Sequence, residues 1–238
     1  MKLKFNAYVD GFNLYKGALQ DRPDLKWLDL IAFCQSRRPE MKLVEVYYFT
    51  ADVMARFPGD KAQNRQHAYL RVLQDLGVHV VRGKFKKDVD WLRVGSTKRE
   101  GLIQPTLSGN FGLTQKAISK SVSQAAPDLP RAQVWKFGEK GSDVNLASHL
   151  LRDTYKNNIE AALVISGDSD LRTPIQFAVS HGVNVKILKP SPTHSAAGLK
   201  SVSSYFEELH PTWLQSFQLP NNFVTQKGKV IKRPESWA

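Results

Sequence analysis

The stretch AALVISGDSDLRTP, residues 161–174, decides how the chain folds. Ala161 to Ile165 are five consecutive apolar residues, the signature of a short strand buried on both faces. Gly167 and two aspartates, Asp168 and Asp170, follow immediately. A helix-like run from Leu171 to His181 then closes at Gly182, and VNVKIL (183–188) begins a second strand. Strand, acidic turn, helix and strand in this order form a βαβ unit, whose two strands lie parallel.

The same rhythm appears upstream. FNAYV (5–9) is a strand that ends at Asp10-Gly11, and LVEVYYF (43–49) is another. VHVV (78–81) is a third, after a helix-like stretch from Lys61 to Leu76. These alternations predict an α/β fold with a mainly parallel central sheet. Residues 84–135 break the pattern with charge, Gly, Ser, Thr and Pro, and are too long for a simple loop. They read as an inserted segment with partial structure. The expected organisation is therefore one catalytic domain over residues 1–210, carrying the insertion, and a tail over 211–238. In the tail, VTQKGKVIKR suggests a hairpin around Lys227-Gly228 that packs on the domain.

Composition narrows the function. The chain has 238 residues, 42% of them hydrophobic, which suffices for a substantial core. No run approaches a membrane span of about 18 apolar residues. The start runs straight into a strand without the apolar region of a signal peptide, and the single cysteine, Cys34, excludes an intramolecular disulfide. Both point to the cytoplasm, with Cys34 as a small core residue. A net charge of +12 favours a polyanionic partner, foremost nucleic acid, over a membrane surface. Homo-oligomerisation stays open.

The aspartates carry the chemistry. In an open α/β sheet, ligands sit beyond the carboxyl ends of the strands. Asp10 ends the first strand, and Asp168 and Asp170 end the fourth. If those strands are neighbours, the three carboxylates converge. Two like charges about 4 Å apart repel by roughly 4 kcal/mol at an effective dielectric near 20, so protons or a cation must offset them. Oxygen ligands without nearby His or Cys favour Mg2+ or Mn2+ over zinc. Each aspartate also has an ordinary explanation. Asp170 caps the helix that follows, in competition with Thr173 before Pro174, and Asp10 before Gly11 makes a turn. Their coincidence at strand ends favours a site.

A third stretch adds to them. In EKGSDVNLASHLLRDTY (139–155), Gly141 breaks the chain and Ser142 or Asp143 caps a helix. Leu146, Ala147, Leu150, Leu151 and Thr154 line its buried face, and Asp143 shares that side one turn earlier. A carboxylate on the inner side of a helix start is costly, although the helix N-terminus offsets part of the charge.

Together YVDGFNLY (8–15), EKGSDVNLASHLLRDTY (139–155) and LVISGDSDL (163–171) resemble the NYN domain family, a branch of the PIN-like nuclease superfamily. They look particularly like its bacterial LabA-type members, and the tail GKVIKRPESW is similar to ends found in that group. The resemblance spans roughly residues 3–210, with the insertion matching poorly. It implies a Rossmann-like three-layer fold and an acidic pocket holding one or two divalent ions, Mg2+ or Mn2+. By motif, Asp10, Asp143, Asp168 and Asp170 match the family's acidic, metal-binding positions, and Asn13 matches the asparagine of the first motif. Lys140 and Ser166 match polar positions around the pocket. The insertion holds no cysteine, so zinc binding is not carried over.

The resemblance thus implies a metal-dependent endoribonuclease acting on RNA, with single strands favoured. Metal held by Asp10, Asp143 and Asp168 would activate water and stabilise the leaving oxygen. Asp170 would bind through water or orient the nucleophile, Asn13 would hold a carboxylate or the substrate, and Lys140 would contact phosphate. Cations track phosphates and rings stack bases, so Arg82, Lys84, Phe85, Lys86, Lys87, Trp91, Arg93, Lys98 and Arg99 are the candidate nucleic-acid contacts. The six histidines are scattered, and His149 on the motif helix reads as structural. Two other classes compete: a PIN-like binding module with little turnover, and a haloacid-dehalogenase-type phosphatase, whose nucleophile loop GDSDLRT superficially resembles. Arg172 stands where that motif expects Thr or Val, and the motif lies late in the chain.

Overall fold

The computed structural model describes residues 2–55, 57–93, 131–190 and 197–237, with backbone alone at 86–88, 91–93, 131–132 and 135–137. The chain divides into two compact units. One comprises Met1–Phe85 with Glu139–Ala238, and the other Lys86–Gly138.

The larger unit is built on a six-stranded sheet. Its strands are β1 (Lys4–Asp10), β2 (Lys42–Thr50), β3 (His79–Arg82), β6 (Ala161–Ile165), β7 (Asn184–Lys189) and β8 (Tyr205–Glu208). They lie in the order β3-β2-β1-β6-β7-β8, and every neighbouring pair is parallel. The chain steps outward from β1 to one edge, returns to the middle at β6, and steps outward to the other edge. The winding direction therefore reverses between β1 and β6, which pair from Phe5↔Ala161 to Val9↔Ile165.

Burial on both faces explains the apolar runs. Phe5 to Asp10 are all buried, and β6 is buried throughout. Phe5, Ala7 and Val9 face one layer, formed by α2 (Leu30–Ser36), α3 (Ala62–Asp75) and the tail. Tyr8, Ala162 and Val164 face the other, where α4 (Ser142–Tyr155) contributes Leu146 and Leu150 and α5 (Arg172–Ser180) contributes Ile175 and Ala178. Helices on both faces of a parallel sheet are the only way to cover such strands. In the tail, Asn222–Val224 and Val230–Lys232 pair antiparallel, and Phe223 and Ile231 join the first layer. Trp27 Nε1 donates to the carbonyl of Pro220 at 2.9 Å.

One polar cluster fastens α4 to the sheet. Asp153, only 3% exposed, accepts from Tyr8 Oη at 2.8 Å, Asn6 Nδ2 at 3.2 Å and Arg152 Nε at 2.8 Å. Burial, then the Asp153 charge, pushes the Tyr8 hydroxyl far above its ordinary value. Asn6 Oδ1 also accepts from Glu45 N, where the β1–β2 register shifts.

In the smaller unit, the described residues belong to two strands, β4 (Lys84–Arg93) and β5 (Arg131–Lys140), which pair as a two-stranded sheet. Residues 94–130, most of the predicted insertion, lie outside the described residues.

Some local expectations need correction. Gly141, with φ 94°, is the N-cap of α4, not Ser142 or Asp143. The Glu139 carboxylate accepts from the Ser142 amide at 2.9 Å and supplies the cap from upstream. Thr173 caps nothing: it lies inside α5, which begins at Arg172 after a 3-10 turn over Ser169–Leu171. Asp168, not Asp170, caps that turn, accepting from the Asp170 amide at 2.9 Å. Asp10-Gly11 is the start of the short helix α1 (Gly11–Leu14) and not an isolated turn.

Candidate active site

The neighbouring ends of β1 and β6 set the site. Asp10 follows Val9, the register partner of Ile165, so it lies beside Ser166. The buried Ser166 hydroxyl donates to Asp10 Oδ2 at 3.0 Å and accepts from the Asp168 amide at 3.1 Å. The Asn13 amide donates to Asp10 Oδ1 at 2.9 Å, and Asn13 Oδ1 accepts from the Gly167 amide at 3.0 Å. Asp10, Asn13, Ser166, Gly167 and Asp168 thus form one hydrogen-bonded set across the reversal point. In an open α/β sheet this crevice is where ligands bind.

Gly11 permits the close approach on which this depends. A Cβ there would lie 2.6 Å from the Tyr48 ring and 2.9 Å from the Phe49 carbonyl. Only a residue without a side chain lets α1 begin so close to β2.

The electrostatics bring in the start of α4. Asp10 is 3% exposed, and its pKa is pushed up to about 7. Burial is the largest cause, with Asp143 and Glu139 adding to it, while the Asn13 amide and the Ser166 hydroxyl pull the other way. Asp143 is pushed up to about 6, first by burial and then by Asp168, Glu139 and Asp170. Asp143 and Glu139 therefore act on Asp10, and Asp168, Glu139 and Asp170 on Asp143, and no cation is among the principal causes of either shift. Glu139 is the member that the sequence did not single out. It lies one residue before the end of β5, whose first residues fall in the segment expected to be a partly structured insertion.

The donor set suits a hard divalent ion. All of its ligating atoms are carboxylate oxygens, and each carboxylate offers about four lone-pair positions, more than the hydrogen bonds described here consume. Among the described residues, no three His, Cys, Asp or Glu side chains stand close enough together to ligate one ion directly. The carboxylates interact electrostatically at longer range, with Asp10 already held by Asn13 and Ser166.

The other candidates are dispersed. Lys140 is exposed at the end of β5. Arg82 is exposed but engaged, with Nε 3.2 Å from Asp52 Oδ1. Lys84 is exposed, and the half-buried Phe85 stacks on Phe12 with centroids 6.2 Å apart. Lys86, Lys87, Trp91 and Arg93 lie along β4, and Lys98 and Arg99 lie outside the described residues. His149 is held by the Asn145 carbonyl at 2.8 Å and packs against Tyr47 and Phe49. Cys34 is fully buried, and burial raises its thiol pKa strongly.

A parallel sheet covered by helices on both faces, with acidic residues at its reversal point, is the Rossmann-like architecture of PIN-like proteins. Residues 107–210 match the family model of the NYN domain, a branch of the PIN-like nuclease superfamily. The match takes in the motifs at α4 and β6, and Asp10 lies outside it. The chain is also 24% identical, over 99% of its length and 75% of the relative's, to 6-hydroxy-3-succinoylpyridine 3-monooxygenase HspA of Pseudomonas putida. Among solved structures, a protein of unknown function from Vibrio parahaemolyticus matches with a TM-score of 0.46 and 13% identity. That alignment covers 92% of this chain and 97% of the other. No helix among the described residues is long and apolar enough to cross a membrane.

Proposed function

We propose that the protein is a metal-dependent endoribonuclease whose chemistry takes place at Asp10, Asp143, Asp168 and Asp170. The observation that carries this reading is the buried Asp10 carboxylate at the sheet's reversal point, joined through Ser166 to the Asp168 turn and raised by burial and by Asp143 and Glu139. Such an arrangement is costly to a folded chain unless the site's task requires concentrated negative charge. The NYN match supplies the nuclease context.

Asp10, Asp143 and Asp168 would hold one or two Mg2+ or Mn2+ ions, in part through bound water because no three of them stand close enough to ligate one ion directly, with Glu139 beside them. When bound, such an ion polarises a phosphodiester and lowers the pKa of an attacking water. The chain's own part is positioning. Ser166 and the Asn13 amide fix both oxygens of Asp10, and Ser166 ties Asp168 to the same frame. Asn13 Oδ1 fixes the Gly167 amide and so the turn that carries Asp168. Asp170, exposed beyond that turn, orients the nucleophilic water. Lys140, also exposed, contacts a substrate phosphate. The net charge of +12 draws RNA to the protein, with Lys84 tracking its backbone.

Cleavage of end-labelled RNA in Mg2+ or Mn2+, absent in EDTA and lost in Asp168→Asn, is the expected result. Folded protein that binds RNA without cutting it under any of these conditions would instead be a PIN-like binding module. A second reading rests on the likeness to the Pseudomonas monooxygenase over nearly the whole chain. It expects oxygen uptake with 6-hydroxy-3-succinoylpyridine and a reductant, and no RNA cleavage.

A further inference from the structure

We propose that Phe12 and Phe85 form a base-stacking face beside the carboxylates, so that the substrate presents an unpaired nucleobase next to the phosphodiester being cut. The inference rests on the nuclease reading and names the subsite that reading lacks. The two rings come from different turns at the same edge of the sheet, Phe12 after β1 and Phe85 at the start of β4. Their centroids are 6.2 Å apart and their planes 25° apart.

Both rings belong to segments that adjoin the acidic residues. Phe12 lies between Asp10 and Asn13, whose amide is bonded to the Asp10 carboxylate. Phe85 lies two residues after Gly83, whose own amide donates to the Thr50 carbonyl at 2.7 Å at the end of β2. The position that a Cβ of Gly83 would take is 3.0 Å from Glu139 Oε1. The segments that carry the rings therefore adjoin Asp10 and Glu139.

Packing does not account for them. Phe5, Phe33 and Phe49 are completely buried, and each belongs to one of the two apolar cores. Phe12 and Phe85 are only half-buried and belong to neither core. A pair of parallel rings with accessible surface beside a site for a charged backbone is a platform for a flat aromatic group. Every nucleobase offers a π face, but in a duplex both faces are covered by neighbouring base pairs. The subsite therefore selects single strands. It also supplies affinity that does not come from charge, which matters beside carboxylates that repel phosphate.

The test uses the full chain carrying Asp168→Asn, titrated into single-stranded RNA with 2-aminopurine in Mg2+. Stacking quenches that fluorophore. The expected results are quenching on binding, an affinity loss of about 5-fold or more in Phe12→Ala, and recovery in Phe12→Trp. Phe12→Leu keeps apolar volume without a π face, and it should lose quenching while retaining the melting temperature. Unchanged affinity and quenching in a folded Phe12→Leu protein would overturn the subsite. The nuclease reading has a separate readout: wild-type protein that cuts RNA while Phe12→Leu leaves its KM unchanged defeats the subsite alone, whereas absence of cutting defeats the reading on which it rests.

Discussion

Replacing Asp10 by Asn should stabilise the ion-free protein at alkaline pH while removing its activity. Asp10 is buried, and its pKa of about 7 stands well above the ordinary 3.8. At about 1.4 kcal/mol for each pH unit of that difference, the folded chain carries a penalty of roughly 4 kcal/mol on the charged form. Because the folded pKa is the higher one, the folded state binds the extra proton between about pH 4 and pH 7. Wild-type stability accordingly falls as pH rises through that window and levels off above it. Asn keeps the acceptor for the Asn13 amide but turns a donor toward Ser166, whose hydroxyl must reorient, at a cost of about 1 kcal/mol. The net expectation is a gain of about 2–3 kcal/mol at pH near 8.5 and a loss of about 1 kcal/mol at pH near 3, where Asp10 is neutral in the folded and the unfolded chain alike. Urea unfolding in EDTA at those two pH values measures both. An equal destabilisation at both would refute the claim that a buried charge is held at this position against its own stability.

Two further substitutions probe the frame around that charge. Ser166→Ala removes the hydroxyl that joins Asp10 Oδ2 to the Asp168 amide and leaves both buried groups short of a partner, so calorimetric melting should show a loss of about 1–3 kcal/mol. RNA cleavage should fall more than stability, because the turn carrying Asp168 loosens. Gly11→Ala drives a methyl into the Tyr48 ring and the Phe49 carbonyl, for about 1–3 kcal/mol of overpacking in denaturant melts. Gly11→Ala should cost less in a Tyr48→Ala background than in the wild type, and an equal cost in both would place the strain elsewhere.

The parts of this molecule legible in its sequence are those where one local pattern has one physical solution. Ala161–Ile165 can only be a strand covered on both faces, and the acidic turn after it can only lie at the sheet's carboxyl edge. What the sequence left conditional was the adjacency of β1 and β6. The register of Val9 with Ile165 resolves it and brings Asp10 beside Ser166. Glu139 is unmarked in the sequence because β5 begins inside the segment that breaks the strand–helix rhythm and suggests a partly structured insertion, although QVWKF has the aromatic and β-branched content of a strand. Asp153 escaped because a carboxylate late in a helix usually meets water. Its burial depends on Asn6, Tyr8 and Arg152, two of them far away along the chain. The strand β8, Tyr205–Glu208, sits at the sheet edge, where burial imposes too little pattern to mark it. Asp10 and Asp168 cap the short helices that follow them, so an ordinary structural role and the proposed functional one fall on the same side chains.

The central claim is that these carboxylates share a divalent cation, and Mn2+ titration followed by electron paramagnetic resonance addresses it without any substrate. Near pH 8 the wild-type protein should deplete the free Mn2+ signal saturably, and Asp143→Asn, folded to the same circular-dichroism spectrum, should leave that signal close to its protein-free level. Equal depletion by both proteins, or none by either, would contradict the account.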